Sequence, residues 1–368
     1  MKITCTQENL NKGLSTVNQA VGTDTTLPVL SNVLLKTEGG RLKLSGTDLE
    51  TGVNMFIGGK VVKEGSLTVP AKLLGEYVNS LPSSQVVLEV KDGKLKLGCE
   101  NFSASINGID SEEFPLIPKI EKKEVCRVNV DDFKKVAEKV VFAAAVDESR
   151  PELSGVLMSF TNSSIAMAAT DSYRLAEGIV DNVKTMGKPK SSIIPAKTVS
   201  ELLHIFGENV DGDLVISVSE NQIMFQNSDI SVVSRLVEGQ YPDYKQIIPD
   251  KFNTEGIFKR DELLKGIKTT GLFAKHGSND VKLEFNVPGG ETILYASSSQ
   301  VGKNFSKLKS KIKGETTEVI FNYRYLLDGL NNIDSEKVRL MVNGSSGPAA
   351  MKAESGSKYI YVIMPIKQ

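Results

Sequence analysis

Six basic residues recur in register along this 368-residue chain, and the chemistry they offer is the binding of a polyanion. Lys12, Lys135 and Lys265 each follow an apolar anchor by two positions; the anchors are Leu10, Phe133 and Leu263, at intervals of 123 and 130 residues. Lys72, Lys197 and Arg324 follow Pro70, Pro195 and Asn322 by two positions and precede Leu74, Val199 and Leu326 by two. On a helix at about 100° per residue, two positions is roughly 200° of rotation, so each base faces away from the core. Lysines are ordinary on solvated faces, and with 44 Lys and Arg in the chain any single one means little. Six in register is the informative observation. In the second set each base also precedes an acid by four residues: Lys72–Glu76, Lys197–Glu201 and Arg324–Asp328. That is the weaker orientation for such a pair, and a cation in the first turn opposes the helix dipole. Charges placed for helix stability would run the other way, so these bases read as facing an anionic ligand.

The elements that position them repeat three times. A first helical pattern covers 7–21, 131–144 and 260–273, with Leu14, Ala137 and Ile267 four residues beyond the anchors. Asp131 and Asp261 are expected as early-helix acids or caps. A second covers 70–81, 195–206 and 322–333, with Pro70 and Pro195 expected in the first turn and Asn322 as a cap. Alternating runs such as 94–106, 213–226 and 358–366, broken by Gly, Asn and Asp, read as antiparallel strands and hairpins. The expected class is therefore α+β: three similar domains, each two helices packed on antiparallel sheets. Proline clusters within 114–124 and 241–254 interrupt the pattern, giving domains 1–120, 121–248 and 249–368.

Composition narrows the function. Hydrophobic residues at 40% and charged residues at 24% fit a globular chain. A net charge of −1 argues against a uniform nucleic-acid coat but leaves room for a basic lining with acids elsewhere. Three scattered cysteines, Cys5, Cys99 and Cys126, suggest neither a disulfide framework nor a zinc site. With only two histidines, no metal or cofactor is expected. No apolar run approaches the roughly 20 residues of a membrane span, and the first residues lack a signal-peptide core, so a cytoplasmic protein with no membrane partner is expected. No GxxxxGK[ST], GxSxG, HExxH or paired-cysteine motif occurs, and Asp171 beside Arg174 has no nucleophile partner. The chain does not read as an enzyme. The remaining alternative, an interaction scaffold that never touches DNA, shares the fold but has no need of bases in register.

An ordered set of segments then carries a family resemblance: TLPVLSNVLL (26–35), SGTDLETGV (45–53), TVPAK (68–72), ATDSYRLA (169–176), YPDYKQIIP (241–249) and VIMPIKQ (362–368). Over essentially its whole length the chain resembles the bacterial DNA polymerase III beta subunit family, the sliding clamps. The resemblance implies a DNA clamp fold and a head-to-tail homodimeric ring. It implies a processivity factor that encircles duplex DNA without sequence preference and tethers the replicative polymerase, the clamp loader, other polymerases and repair proteins through their short linear motifs. The family's partner cleft maps onto Leu153, Thr170, Ser172, Tyr173, Arg174, Leu175, Pro242, Gln246, Ile247, Ser346, Val362, Ile363, Met364, Pro365 and Ile366. Of these, Leu153, Leu175, Ile247, Val362 and Met364 suit an apolar pocket, with Arg174 and Tyr173 as polar groups at its rim. Alone, ATDSYRLA reads as a strand and turn, and the apolar chain end as a last core strand. For the subunit contact the resemblance points to Ala104 and Ile106 on an edge strand, opposite Leu272 and Phe273 of the third domain; Phe273 reads equally as the end of its helix's core stripe.

Departures from the family pattern are local. Asp24 stands where some members have a DNA-contacting Arg, and Lys72 keeps a base where Arg is usual. The loop 146–153 lacks an aromatic pair, leaving Arg150 as its basic residue toward DNA. Gln246 replaces a base in the cleft, and the chain ends in Lys367–Gln368 rather than an Arg-containing tail.

Overall fold

A computed structural model describes residues 1–22, 27–118, 120, 124–147, 149–185, 190–207, 210–275 and 278–367. Asp24 and Gln368 lie outside them. Six α-helices are present among the described residues: α1 (Gln7–Val17), α2 (Ala71–Asn79), α3 (Val130–Val141), α4 (Ala196–Ile205), α5 (Arg260–Ala274) and α6 (Tyr323–Asn331). Each coincides with one of the six periodic segments, because each has an apolar stripe to bury. Leu10, Leu14, Leu74, Val199, Leu263, Ile267 and Leu326 have no exposed surface, and Phe133 keeps 1%. Each such side chain contributes about 1.5–3 kcal/mol relative to exposure, which outweighs the modest helix propensity of segments this short.

The helix starts differ in part from expectation. Asn322 does cap α6, its side chain accepting from the Arg324 N–H at 3.0 Å. Asp131 is not the cap of α3; Asn129 is, with Oδ1 accepting from the N–H groups of Asp131 (2.9 Å) and Asp132 (3.3 Å). Asp131 and Asp261 are first-turn acids, where they favour the helix dipole. Pro70 and Pro195 lie outside the first turn. They end the strands Ser66–Pro70 and Lys190–Pro195, paired with Asn32 and Gly155, and α2 and α4 begin at the next residue. A strand end tolerates a residue without an N–H as well as a first turn does, so proline alone did not separate the two.

The chain divides into two compact units that do not follow the three repeats: 1–134 with 182–189 and 197–237, and 135–181 with 190–196 and 238–368. In the first unit, a five-stranded antiparallel sheet runs in the order 60–63, 2–6, 85–91, 94–99, 102–107. A nine-stranded sheet joins repeats one and two where Ile230–Arg235 pairs with Thr51–Ile57, Val232 facing Val53. In the second unit, another nine-stranded sheet joins repeats two and three where Arg174–Val180 pairs with Tyr359–Ile363, Leu175 facing Val362. A four-stranded sheet completes that unit in the order 302–309, 291–298, 280–286, 317–322. Register is held by burial: Val53, Val232, Leu175 and Val362 are 0–2% exposed, and a one-residue slip would turn each such row to the wrong face.

α1 packs against α2 and the strand Thr51–Ile57, and α5 against α6 and the strands Glu291–Ser298 and Gly302–Lys309. Two glycines permit close approach to a sheet or helix. A Cβ on Gly13 would meet Leu44 at 2.6 Å, and one on Gly329 would meet Tyr361 at 2.5 Å. No helix among the described residues is long and apolar enough to cross a membrane.

Candidate functional site

All six recurring bases are exposed, two positions from a side chain that is at most 1% exposed. Their partners differ. Lys72 makes no ion pair with Glu76, nor Arg324 with Asp328, among the described residues; Arg324 instead lies 6.0 Å from the ring centre of Tyr323. Lys197 is engaged by the carboxylates of Asp48 and, at 3.9 Å, Glu201. Burial would lower the Lys197 pKa, but Asp48 and Glu201 hold it above the usual range. Asp48 is held below its own range, because Lys197 and two backbone N–H groups outweigh its burial. Lys197 is thus committed to a junction between repeats in a way that Lys72 and Arg324 are not. Arg150 is exposed and its guanidinium donates to Glu152 Oε1 (3.2 Å) and Ser172 Oγ (3.3 Å), so it lies beside the turn at 171–174.

That turn is built by its own side chains. Thr170 Oγ1 donates to the Arg174 carbonyl at 2.6 Å and accepts from the Ser172 N–H. Asp171 Oδ1 accepts from the N–H groups of Tyr173 and Arg174, both at 2.9 Å. Ser172 adopts φ 77°, and Tyr173 projects with 64% of its surface exposed. The final strand continues past the turn: the Met364 N–H donates to the Tyr173 carbonyl and the Ile366 N–H to the Ile320 carbonyl, both at 2.8 Å. The chain end is therefore pinned by backbone bonds on two sides. The segment 241–247 is anchored by Tyr241 Oη on the Ala168 carbonyl (3.5 Å) and Tyr244 Oη on Glu177 (2.5 Å).

Fourteen of the fifteen expected cleft residues lie on these segments or on the 3₁₀ turn Pro151–Leu153. Ser346, the fifteenth, lines a depression of about 350 Å³ with Glu318, Ile320, Ser345, Ile366 and Lys367. Most of the residues are either buried or exposed, with Arg174, Pro242, Met364 and Ile366 in between. Leu153, Leu175, Val362 and Ile363 are 0–2% exposed and form a floor under the surface. Ser172, Tyr173, Gln246, Ile247 and Ser346 are exposed, with Ile247 at 39%; Gln246 donates to Asp243 at 2.9 Å. Arg174 is not at the rim. Its side chain is 13% exposed and turned inward onto Asp171 and Asp328. Glu201 and Asp328 stand out in the sequence only as the acids four residues after Lys197 and Arg324, and Asp48 does not stand out; its signal is the repetition of TDLET (47–51) as TDSYR (170–174).

The edge strand Phe102–Asn107 places Ile106 inward, 7% exposed, with Ala104 half-buried. The large apolar group it presents is Phe102, 52% exposed. In the other unit Leu272 is 59% exposed and Phe273 half-buried, and the edge strand Gly302–Lys309 presents Phe305, 66% exposed. Among the described residues there is no cluster of three His, Cys, Asp or Glu able to hold a metal, and all three cysteines are buried.

Comparison with known proteins follows the three repeats. Models of the DNA polymerase III beta subunit match in order: its N-terminal domain at residues 1–118, central domain at 127–243 and C-terminal domain at 245–367. A Synechococcus elongatus protein named beta sliding clamp is 30% identical over 372 residues, covering 100% of this chain and 99% of its own. The crystal structure of the Bacillus subtilis DNA polymerase sliding clamp superposes with a TM-score of 0.95 at 26% identity, covering 100% of this chain and 99% of that one. A Pseudomonas aeruginosa sliding clamp bound to griselimycin gives 0.94 at 26% identity, with both chains fully covered.

Proposed function

The chain belongs to the DNA polymerase III beta subunit family, the beta sliding clamps, and from that premise we propose how its own residues do a clamp's work. It is a processivity factor without chemistry of its own: a ring that encircles duplex DNA and tethers a polymerase to it. The observation that carries this reading is the exposed base on each of the six helices, opposite a buried anchor. Lys12, Lys72, Lys135, Lys265 and Arg324 supply a lining that neutralises phosphates and touches no base edge, with lesser contributions from Lys197 and Arg150. Binding of that kind is strong at low salt and indifferent to sequence.

The working assembly is a head-to-tail homodimer of domains 1–120, 121–248 and 249–368. Its contact joins the edge strand at 102–107, with Ala104 and Phe102 on its surface and Ile106 supporting it from the core, to the third domain's Leu272, Phe273 and Phe305. Pairing two free strand edges satisfies their backbone groups and removes an aggregation hazard. The fifteen residues around the 171–174 turn form the cleft for short apolar linear motifs of the polymerase, the clamp loader and repair proteins. Exposed Tyr173 and Ile247, with flexible Met364, give it the adaptable apolar surface that varied partners need. The protein works in the cytoplasm, and any ATP used in loading belongs to the loader.

The test is topological. The protein is loaded by its clamp loader and ATP onto nicked circular DNA, which is then linearised. A clamp is retained on circles and lost from free ends; equal retention on both removes encirclement.

A further inference from the structure

We propose that Asp328 on α6 is a positioning residue for the cleft: through Arg174 it holds the 171–174 turn in the shape that receives a peptide. The inference rests on the cleft reading above and adds to it a residue outside the fifteen that reading names.

Arg174 is fixed by all three of its nitrogens. Nη1 donates to Asp328 Oδ2 at 2.5 Å, Nε to Asp171 Oδ2 at 2.9 Å, and Nη2 to the Phe142 carbonyl at 3.2 Å. The guanidinium also lies over the rings of Tyr325 (4.6 Å) and Phe142 (5.4 Å). A planar fork held at three corners between two rings has one orientation. The backbone of Arg174 closes the turn, its N–H donating to Asp171 Oδ1 and its carbonyl accepting from Thr170. Holding the side chain therefore holds Ser172 at its positive φ and the Tyr173 carbonyl on the Met364 N–H.

Asp328 and Tyr325 are the members of this set that come from a helix of the third repeat, and Asp328 is the charged one. It forms no ion pair with Arg324, four residues before it, among the described residues, so its charge is spent on Arg174.

The same chain contains a contrasting case. The turn at Asp48–Thr51 has the same backbone bonds, with Asp48 Oδ1 accepting from Glu50 (3.0 Å) and Thr51 (2.7 Å). Thr51 stands where Arg174 does, and Glu201 stands in α4 where Asp328 stands in α6. There the anchor runs in the opposite sense, from Lys197 on the helix back to Asp48. Thus the turn needs an anchor across the repeat junction, and only at the cleft is that anchor an arginine from the turn itself. Without Asp328 the guanidinium loses its shortest hydrogen bond while remaining mostly desolvated, so it swings toward water and releases the turn.

The experiment measures the Kd of the full chain for griselimycin, and separately the acrylamide quenching of a Tyr173→Trp reporter without ligand; the chain has no tryptophan of its own. Asp328→Ala is expected to weaken binding roughly tenfold and to raise reporter quenching. Asp328→Glu is expected to restore both, and Asp328→Asn to fall between. Wild-type affinity in folded Asp328→Ala overturns the proposal, as does failure of Asp328→Glu to restore binding. Should Asp328→Ala not fold, the isosteric Asp328→Asn carries the test, and wild-type affinity there overturns it equally. A wild-type chain that does not bind griselimycin removes the cleft reading instead, and reporter quenching then decides the role of Asp328 alone.

Discussion

Leu49 and Ser172 both hold φ at 77°, each in the third position of a Thr-Asp turn. The turn has one cause in both places: an aspartate that accepts two successive backbone N–H groups, and a threonine whose hydroxyl donates to the carbonyl four residues on. The left-handed region suits neither residue, and leucine less than serine. Leu49→Asn is expected to raise the unfolding free energy by about 1 kcal/mol, since asparagine tolerates that region and Leu49 is 46% exposed, with little packing to lose. Equilibrium denaturation in urea checks this, and a lowered midpoint contradicts it.

Stability should fall as pH rises through neutrality because of Glu201. Burial pushes its carboxyl from the ordinary 4.5 up to about 7, with Lys197 opposing and Asp48 and Glu50 adding to the shift. Between those values the folded chain holds a proton that the unfolded chain releases, so the stabilisation is complete below 4.5 and lost as pH passes 7. Glu201→Gln removes this dependence. It should raise the thermal midpoint on the order of 2–4 °C at pH 8 and change little at pH 4.5. A parallel pH profile for the two proteins would refute the assignment.

The lining bases should not be equivalent. Lys72→Ala is expected to weaken duplex binding and reduce the slope of log affinity against log salt by about 1, the signature of one phosphate contact. Lys197→Ala should lower that slope less, because its ammonium is already engaged by Asp48, and should lower thermal stability more. Fluorescence anisotropy with a duplex at several salt concentrations decides it. Equal slopes for both variants would place Lys197 back among the DNA contacts.

At the subunit contact, exposed and buried apolar groups should separate cleanly. Phe102→Asp or Leu272→Asp is expected to yield a folded monomer by sedimentation velocity, since each exposes more than half its surface in the single chain. Ile106→Ala should instead destabilise the chain by about 2–4 kcal/mol, the cost of emptying a buried aliphatic site. A dimer that survives both aspartates would move the contact elsewhere.

The sequence by itself determined everything that depends on local periodicity and composition: six helices, their apolar stripes, the base opposite each anchor, the α+β class and the threefold repeat. Those features are written residue by residue, because an apolar side chain two or four positions away decides which way its neighbours face. What only the tertiary structure decided is where the charges go. Spacing puts Asp328 four residues after Arg324 and Glu201 four after Lys197, the weaker orientation for a pair, and names no other partner for any of them. In the fold Asp328 takes Arg174 from 154 residues away, and Lys197 takes Asp48 from 149. A salt bridge follows distance and desolvation, both set by how strands from different repeats share a sheet. Likewise the positions of Ile106 and Phe102 on one edge strand follow from which face that sheet buries. A period of two offers both faces and chooses neither.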